Sequence, residues 1–174
     1  MSEDKQEASE QSIYLLRTTQ QHHVQLSLMA DHKANMLIGA AFVVFSISVS
    51  QVRSGTELSW PLLVLGVSAA ISALLAAMAV IPTFEASPKD AHERPNLLFF
   101  GAFHRMAEAD YIDALEKQMA SDDDVYRAML HDIYQMGQVL AKKKYRYLRW
   151  SYSIFMIGIV ATLLLFAVDY LARL

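Results

Sequence analysis

Leu58-Ser-Trp-Pro-Leu-Leu-Val-Leu-Gly-Val-Ser-Ala-Ala-Ile-Ser-Ala-Leu-Leu-Ala-Ala-Met-Ala-Val-Ile-Pro-Thr83 carries no charged residue. A bilayer's hydrocarbon core takes roughly 20 predominantly apolar residues of helix, so this run is long enough to cross one. Two further runs match it, from Ala34 to Val52 and from Leu148 to Leu171, with Arg53 and Asp169 at their ends rather than in their middles. In lipid only helices and closed barrels satisfy their own backbone groups, and none of the three runs shows strand alternation. The expected fold is an all-α membrane protein. It has three transmembrane helices and a cytoplasmic helical bundle, formed by extensions of the first and third spans plus a short loop helix.

Composition agrees. Of 174 residues 54% are hydrophobic, more than a soluble domain of this size carries. The net charge of −3 gives no basic footprint for a bulk nucleic-acid partner. With no cysteine there is neither a disulfide framework nor thiolate chemistry. The acidic start, Met1 to Glu10, lacks the basic region of a secretory signal, so the first span is expected to stay as an uncleaved anchor.

Basic residues set the expected orientation. Lys5, Arg17 and Lys33 precede the first span. Lys89, Arg94, Arg105, Lys117, Arg127, Lys142, Lys143, Lys144, Arg146 and Arg149 lie between the second run and the body of the third. Only Arg53 and Arg173 remain for the other side. The N-terminus and the long loop should face the cytoplasm and the C-terminus the periplasm, in a cell inner membrane. The triple lysine sits where anionic headgroups would attract it, and Trp60, Trp150, Tyr152 and Tyr170 sit at span ends, as interfacial aromatics do.

Along the chain, residues 1–10 read as a disordered tail and 11–33 as a cytoplasmic helix continuous with span 1 (34–52). At about 1.5 Å per residue such a helix reaches about 60 Å. Arg53 to Ser59 reads as an outer turn, with Ser59 capping a helix that begins at Pro61. Span 2 (58–83) is rich in small residues; Gly66, Ala69, Ser72, Ala73 and Ala76 suit close helix packing, either within the chain or in an oligomer interface. Pro82, Pro88 and Pro95 then break the chain, and 84–96 reads as a polar linker. The remaining cytoplasmic region, 84–147, reads as helical, with a helix from about Arg105 to Met119 and another opened by Ser121 and its three following aspartates. The latter should run into span 3 (148–171).

No catalytic constellation is present. The six histidines lack the i, i+4 spacing around an acid that a zinc-hydrolase helix needs, and no phosphate-loop or nucleophile-elbow motif occurs. No enzyme, metal or cofactor is expected. Span interiors carry hydroxyls but no acid or base, which disfavours an ion carrier. Two segments stand out. Asp31-His-Lys-Ala-Asn35 sits where the first helix enters the bilayer, as a snorkelling junction or a functional cluster. Asn96-Leu-Leu-Phe-Phe-Gly-Ala-Phe-His-Arg105 is an aromatic run closed by glycine, as a packing wedge or a ligand contact in which rings stack on bases and Arg94 and Arg105 pair with phosphate.

These segments carry a resemblance. Asp31-His-Lys-Ala-Asn-Met-Leu-Ile-Gly39 resembles the D-x-K-A-x-x-L-L-G stretch of the transmembrane effector domain of Pycsar anti-phage systems. Asn96-Leu-Leu-Phe-Phe-Gly101 resembles its N-L-L-F-F-G signature. Asp132-Ile-Tyr-Gln-Met-Gly-Gln-Val-Leu-Ala-Lys-Lys-Lys-Tyr145 resembles D-x-Y-x-x-G-x-x-L-x-x-K-Y, with one extra residue before the tyrosine. The resemblance covers nearly the whole chain and implies a non-enzymatic effector that oligomerises in the lipid bilayer and impairs the inner membrane. Its trigger would be cyclic CMP or cyclic UMP, made by a partner pyrimidine nucleotide cyclase. The matching positions Asp31, Lys33, Asn35, Asn96, Phe99, Phe100, Gly101, Tyr134, Lys144 and Tyr145, with Arg94 and Arg105, are the ligand or switch candidates. The loop is too short for a separate cyclic-nucleotide-binding β-roll, so either the bundle or a partner senses the signal, or another trigger acts. The alternative is a membrane-anchored scaffold whose bundle recruits a soluble partner.

Overall fold

The computed structural model describes residues 3–53, 59–82 and 95–172, with side chains over 10–51, 59–82 and 95–172. Within these the chain is helical: α1 (Glu3–Arg53), α2 (Trp60–Val80), α3 (Phe100–Phe103), α4 (Glu108–Gln118), α5 (Asp122–Val139), a π turn (Leu140–Lys144) and α6 (Tyr145–Ala172). No strand occurs among the described residues. Three helical stretches are long and apolar enough to cross a membrane: Glu10–Gln51, Trp60–Val80 and Asp122–Ala172.

The chain divides into two compact units. One comprises Met1–Leu26 and Pro82–Leu140, the other Ser27–Ile81 and Ala141–Leu174. The second unit holds the membrane-length apolar segments. Its most extensive backbone contact is between α2 and α6. Small residues permit it: Ala69 and Ser72 on α2 and Ser151 on α6 have no exposed surface. Ser72 Oγ donates to the Ser151 carbonyl at 2.9 Å, and Ser151 Oγ donates to the Ser72 carbonyl at 2.6 Å. Further along, a Cβ on Gly158 would lie 2.4 Å from Ser68 Cβ, so only glycine allows this approach. Ala30, Ala34 and Leu37 of α1 pack with Ala76 of α2 and Leu148 of α6, flanked by Ile38, Val80, Tyr145 and Phe155. Gly66, Ala69, Ser72 and Ala76 are therefore buried inside the chain, and only Ala73 of the small-residue set keeps partial exposure. Surfaces left open on these helices are large and apolar, among them Phe42, Ile71, Leu74, Ile157 and Leu163.

Several details differ from the sequence expectation. Helix α1 begins at Glu3, so residues 3–10, expected as a disordered tail, have helical backbone. Ser59 is the N-cap of α2 by backbone but makes no side-chain cap bond, and the helix starts at Trp60 with Pro61 next. A proline there loses no bond, because the first amides of a helix have no intrahelical partner. The helix expected from Arg105 starts later, at Glu108, after an extended Ala107; Glu108 and Asp110 in its first turn complement the helix dipole. The body of the outer turn (54–58) and most of the linker (83–94), including Arg94, lie outside the described residues.

In the first unit, Ser121 Oγ accepts from the Asp124 amide at 3.2 Å and caps α5. Phe103 and Tyr111 stack at 4.7 Å between centroids, holding α3 to α4. Helix α5 passes into α6 through the π turn without a break. A π turn holds one more residue than an α turn, and it occupies Leu140–Lys144, taking in the whole lysine run 142–144.

Candidate functional site

The sequence candidates fall into two clusters, one in each unit. In the membrane-helix unit the centre is Lys144, at the end of the π turn. Its Nζ donates to both carboxylate oxygens of Asp31 and to Ser27 Oγ, each at 2.7 Å. Charge-assisted bonds of this kind are about twice as strong as neutral ones. Lys143 donates to the Ile81 carbonyl at 2.9 Å, which places a cation at the C-terminal end of α2, where the dipole favours it. Tyr152 donates its hydroxyl to the Lys33 carbonyl at 3.2 Å. The side chains of Lys33 and Asn35 are exposed, and Tyr145 packs on the core. The structure thus brings Asp31 and Lys144 together and gives them a structural bond; Lys33 and Asn35 face outward.

In the other unit the centre is Asp132, a carboxylate only 6% exposed. One oxygen accepts from Asn96 Nδ2 and the other from Gln20 Nε2, both at 2.9 Å. Asn96 Oδ1 accepts in turn from the Leu98 amide at 3.1 Å, which folds the start of the aromatic run into a turn. Asp132 therefore ties α1, α5 and the Asn96 turn together. Gly101 is buried, and a Cβ there would stand 2.4 Å from the Phe99 ring, so a larger residue would have to displace that ring. Phe100 and Tyr134 are exposed, and exposed Arg105 donates to His104 at 3.3 Å. Asp132 lies in the quoted third motif, yet the sequence reading did not single it out. Its signal was a lone acid among apolar α5 positions, four residues before Met136.

A cleft of about 980 Å³ opens beside this node. Pro95, Leu97 and Met106 come from the connector, Ala114, Lys117 and Gln118 from α4, and Asp124, Arg127, Ala128 and His131 from α5. These positions share helix faces: 114, 117 and 118 on one helix, 124, 127, 128 and 131 on the other. Neither Lys117 nor Arg127 takes part in an ion pair among the described residues. No cluster of histidines and acids able to hold a metal occurs among them either.

Comparison with known families gives a match over nearly the whole chain. The chain fits the model of the Pycsar effector protein domain, PycTM, over residues 14–170. No curated protein and no solved structure matches. The matched span takes in the Asp31–Lys144 pair, the Asp132 node, the cleft and nearly all of the membrane-length helix sequence. A match over residues 14–170, nearly the whole chain and most of both units, identifies the chain as a member of the Pycsar effector family, an effector of anti-phage defence.

Proposed function

We propose that this chain is an inner-membrane effector that oligomerises and impairs membrane integrity when a cyclic pyrimidine nucleotide signals infection. The observation that carries the reading is the family match across both units, three membrane-length helices in one and an open cleft in the other. The N-terminus and the unit holding the cleft face the cytoplasm in this reading, following the lysine and arginine bias. A pyrimidine nucleotide cyclase supplies the signal, either cyclic CMP or cyclic UMP.

Three helices cannot enclose a wide aqueous path, so permeabilisation takes several copies. Within one copy the small-residue face of α2 is already covered. Contacts between copies would therefore use the large apolar side chains of α1, α2 and α6, which lipid covers in the resting state. The mechanism is a population shift: the nucleotide binds better to the helix arrangement of the open assembly than to the resting one. Support for transmission is local and helical. Helix α1 has no break from Glu3 to Arg53, and α5 continues into α6 through the π turn.

The test is membrane potential in bacteria producing the chain with a pyrimidine cyclase or its inactive variant. Depolarisation only with the active cyclase supports the reading. A polarised membrane in both, with equal protein levels, would favour a scaffold that recruits a soluble partner.

A further inference from the structure

We infer that the cleft between α4 and α5 is a binding site for a small organic anion of nucleotide size. It rests on the proposed function for the identity of the ligand, but its residues argue the class by themselves. A volume of about 980 Å³ is at the upper end of the range for small-molecule sites. Leu97, Met106, Ala114 and Ala128 supply apolar walls on which a flat ring can lie, and Leu97 and Ala128 are buried. The polar groups converge from two helices. Lys117 closes the last turn of α4, and Arg127 and His131 follow one another on the same face of α5.

Two cations, Lys117 and Arg127, against the single carboxylate of Asp124 favour an anion. Ser121 donates its hydroxyl to Asp124 at 2.7 Å, which occupies part of that carboxylate within the helix cap. His131 is oriented by Gln135, whose Nε2 lies 3.0 Å from His131 Nε2. Gln118 also lines the cleft, and among the described residues its buried Oε1 accepts no hydrogen bond. A buried amide oxygen left unpaired costs stability unless something donates to it. A ligand with a ring N–H donor and a phosphate on its other side would meet the cations, and would satisfy Gln118 once that side chain turns into the cleft. The phosphate would meet the guanidinium of Arg127 and the ammonium of Lys117 at the exposed rim.

The test is equilibrium binding of cyclic CMP and cyclic UMP to the full chain in lipid nanodiscs, with inorganic phosphate as the control anion. Arg127→Gln and Lys117→Gln are expected to weaken nucleotide binding about tenfold or more each. Gln118→Leu is expected to weaken it less and to leave protein folding intact, since it removes an unpaired group. Arg149→Gln, an exposed cation of the other unit, should bind as wild type does. If the wild type binds a nucleotide and all three cleft variants bind it equally well, the site is elsewhere and the proposed function stands. If the wild type binds neither nucleotide, the cleft assignment and in-chain sensing both fall. Equal competition by inorganic phosphate would reduce the cleft to a nonspecific anion site and overturn the inference.

Discussion

Lys144 and Asp31 form a bidentate ion pair, with Nζ 2.7 Å from each carboxylate oxygen, although 113 positions separate them in the sequence. The pair is partly buried, 18% and 30% exposed, so it joins α1 to the π turn more firmly than a surface pair would.

Removing one member leaves the other charge without its partner, at a cost of about 2 kcal/mol. Lys144→Met and Asp31→Leu should each lower the unfolding midpoint in detergent. The double variant should lie well above the sum of the two, because no orphaned charge remains. Additive losses would show that the two residues act independently.

The π turn yields a prediction from chain length. Lys142, Lys143 and Lys144 are consecutive, so deleting any one gives the same shortened sequence. The deletion should turn Leu140–Tyr145 into a regular α-helix and leave the flanking faces in register, with a midpoint close to wild type. Deleting Ile154 from α6 instead should rotate Gly158 and Thr162 away from α2 and lose the fold. Equal damage from both deletions would show that the π turn does not absorb the extra residue.

At the α2–α6 seam, Gly158→Ala would bring a methyl against Ser68 Oγ and Cβ. Overpacking of this kind costs about 1–3 kcal/mol. Ser68→Gly should restore most of the loss in the double variant, since it removes both clashing atoms. Thermal unfolding of the four proteins reads the cycle; no rescue would place the strain elsewhere.

Asp132 holds two amides at once, so Asp132→Ala should cost about 2–3 kcal/mol, against about 1 kcal/mol for Gln20→Ala. Backbone amides of residues 96–103 should exchange faster with solvent in Asp132→Ala. Unchanged exchange there would mean that the turn stands on its aromatic contacts alone.

Much of this architecture was legible because bilayer-length hydrophobicity is a coarse, long-range signal. The Ser121 cap was legible because serine followed by acids is local chemistry. What α2 packs against was not legible: small residues every four positions permit close approach but do not name the partner, and α6 met them through Ser151 and Gly158. The cleft was hidden for a similar reason. In the sequence Lys117 and Arg127 count only toward the charge bias and His131 only among the six histidines, and only the pairing of α4 with α5 makes one site of them. Asp31 and Lys144 were both singled out, but hydropathy says nothing about which anion a lysine meets.

The central claim is that this chain makes a membrane leaky in response to a cyclic pyrimidine nucleotide. Dye release from liposomes holding the purified protein, with cyclic CMP, cyclic UMP or no nucleotide, tests it most directly. The account predicts release with one of the two nucleotides and tight vesicles without it. Tight vesicles under all three conditions, with insertion and orientation verified, would contradict it.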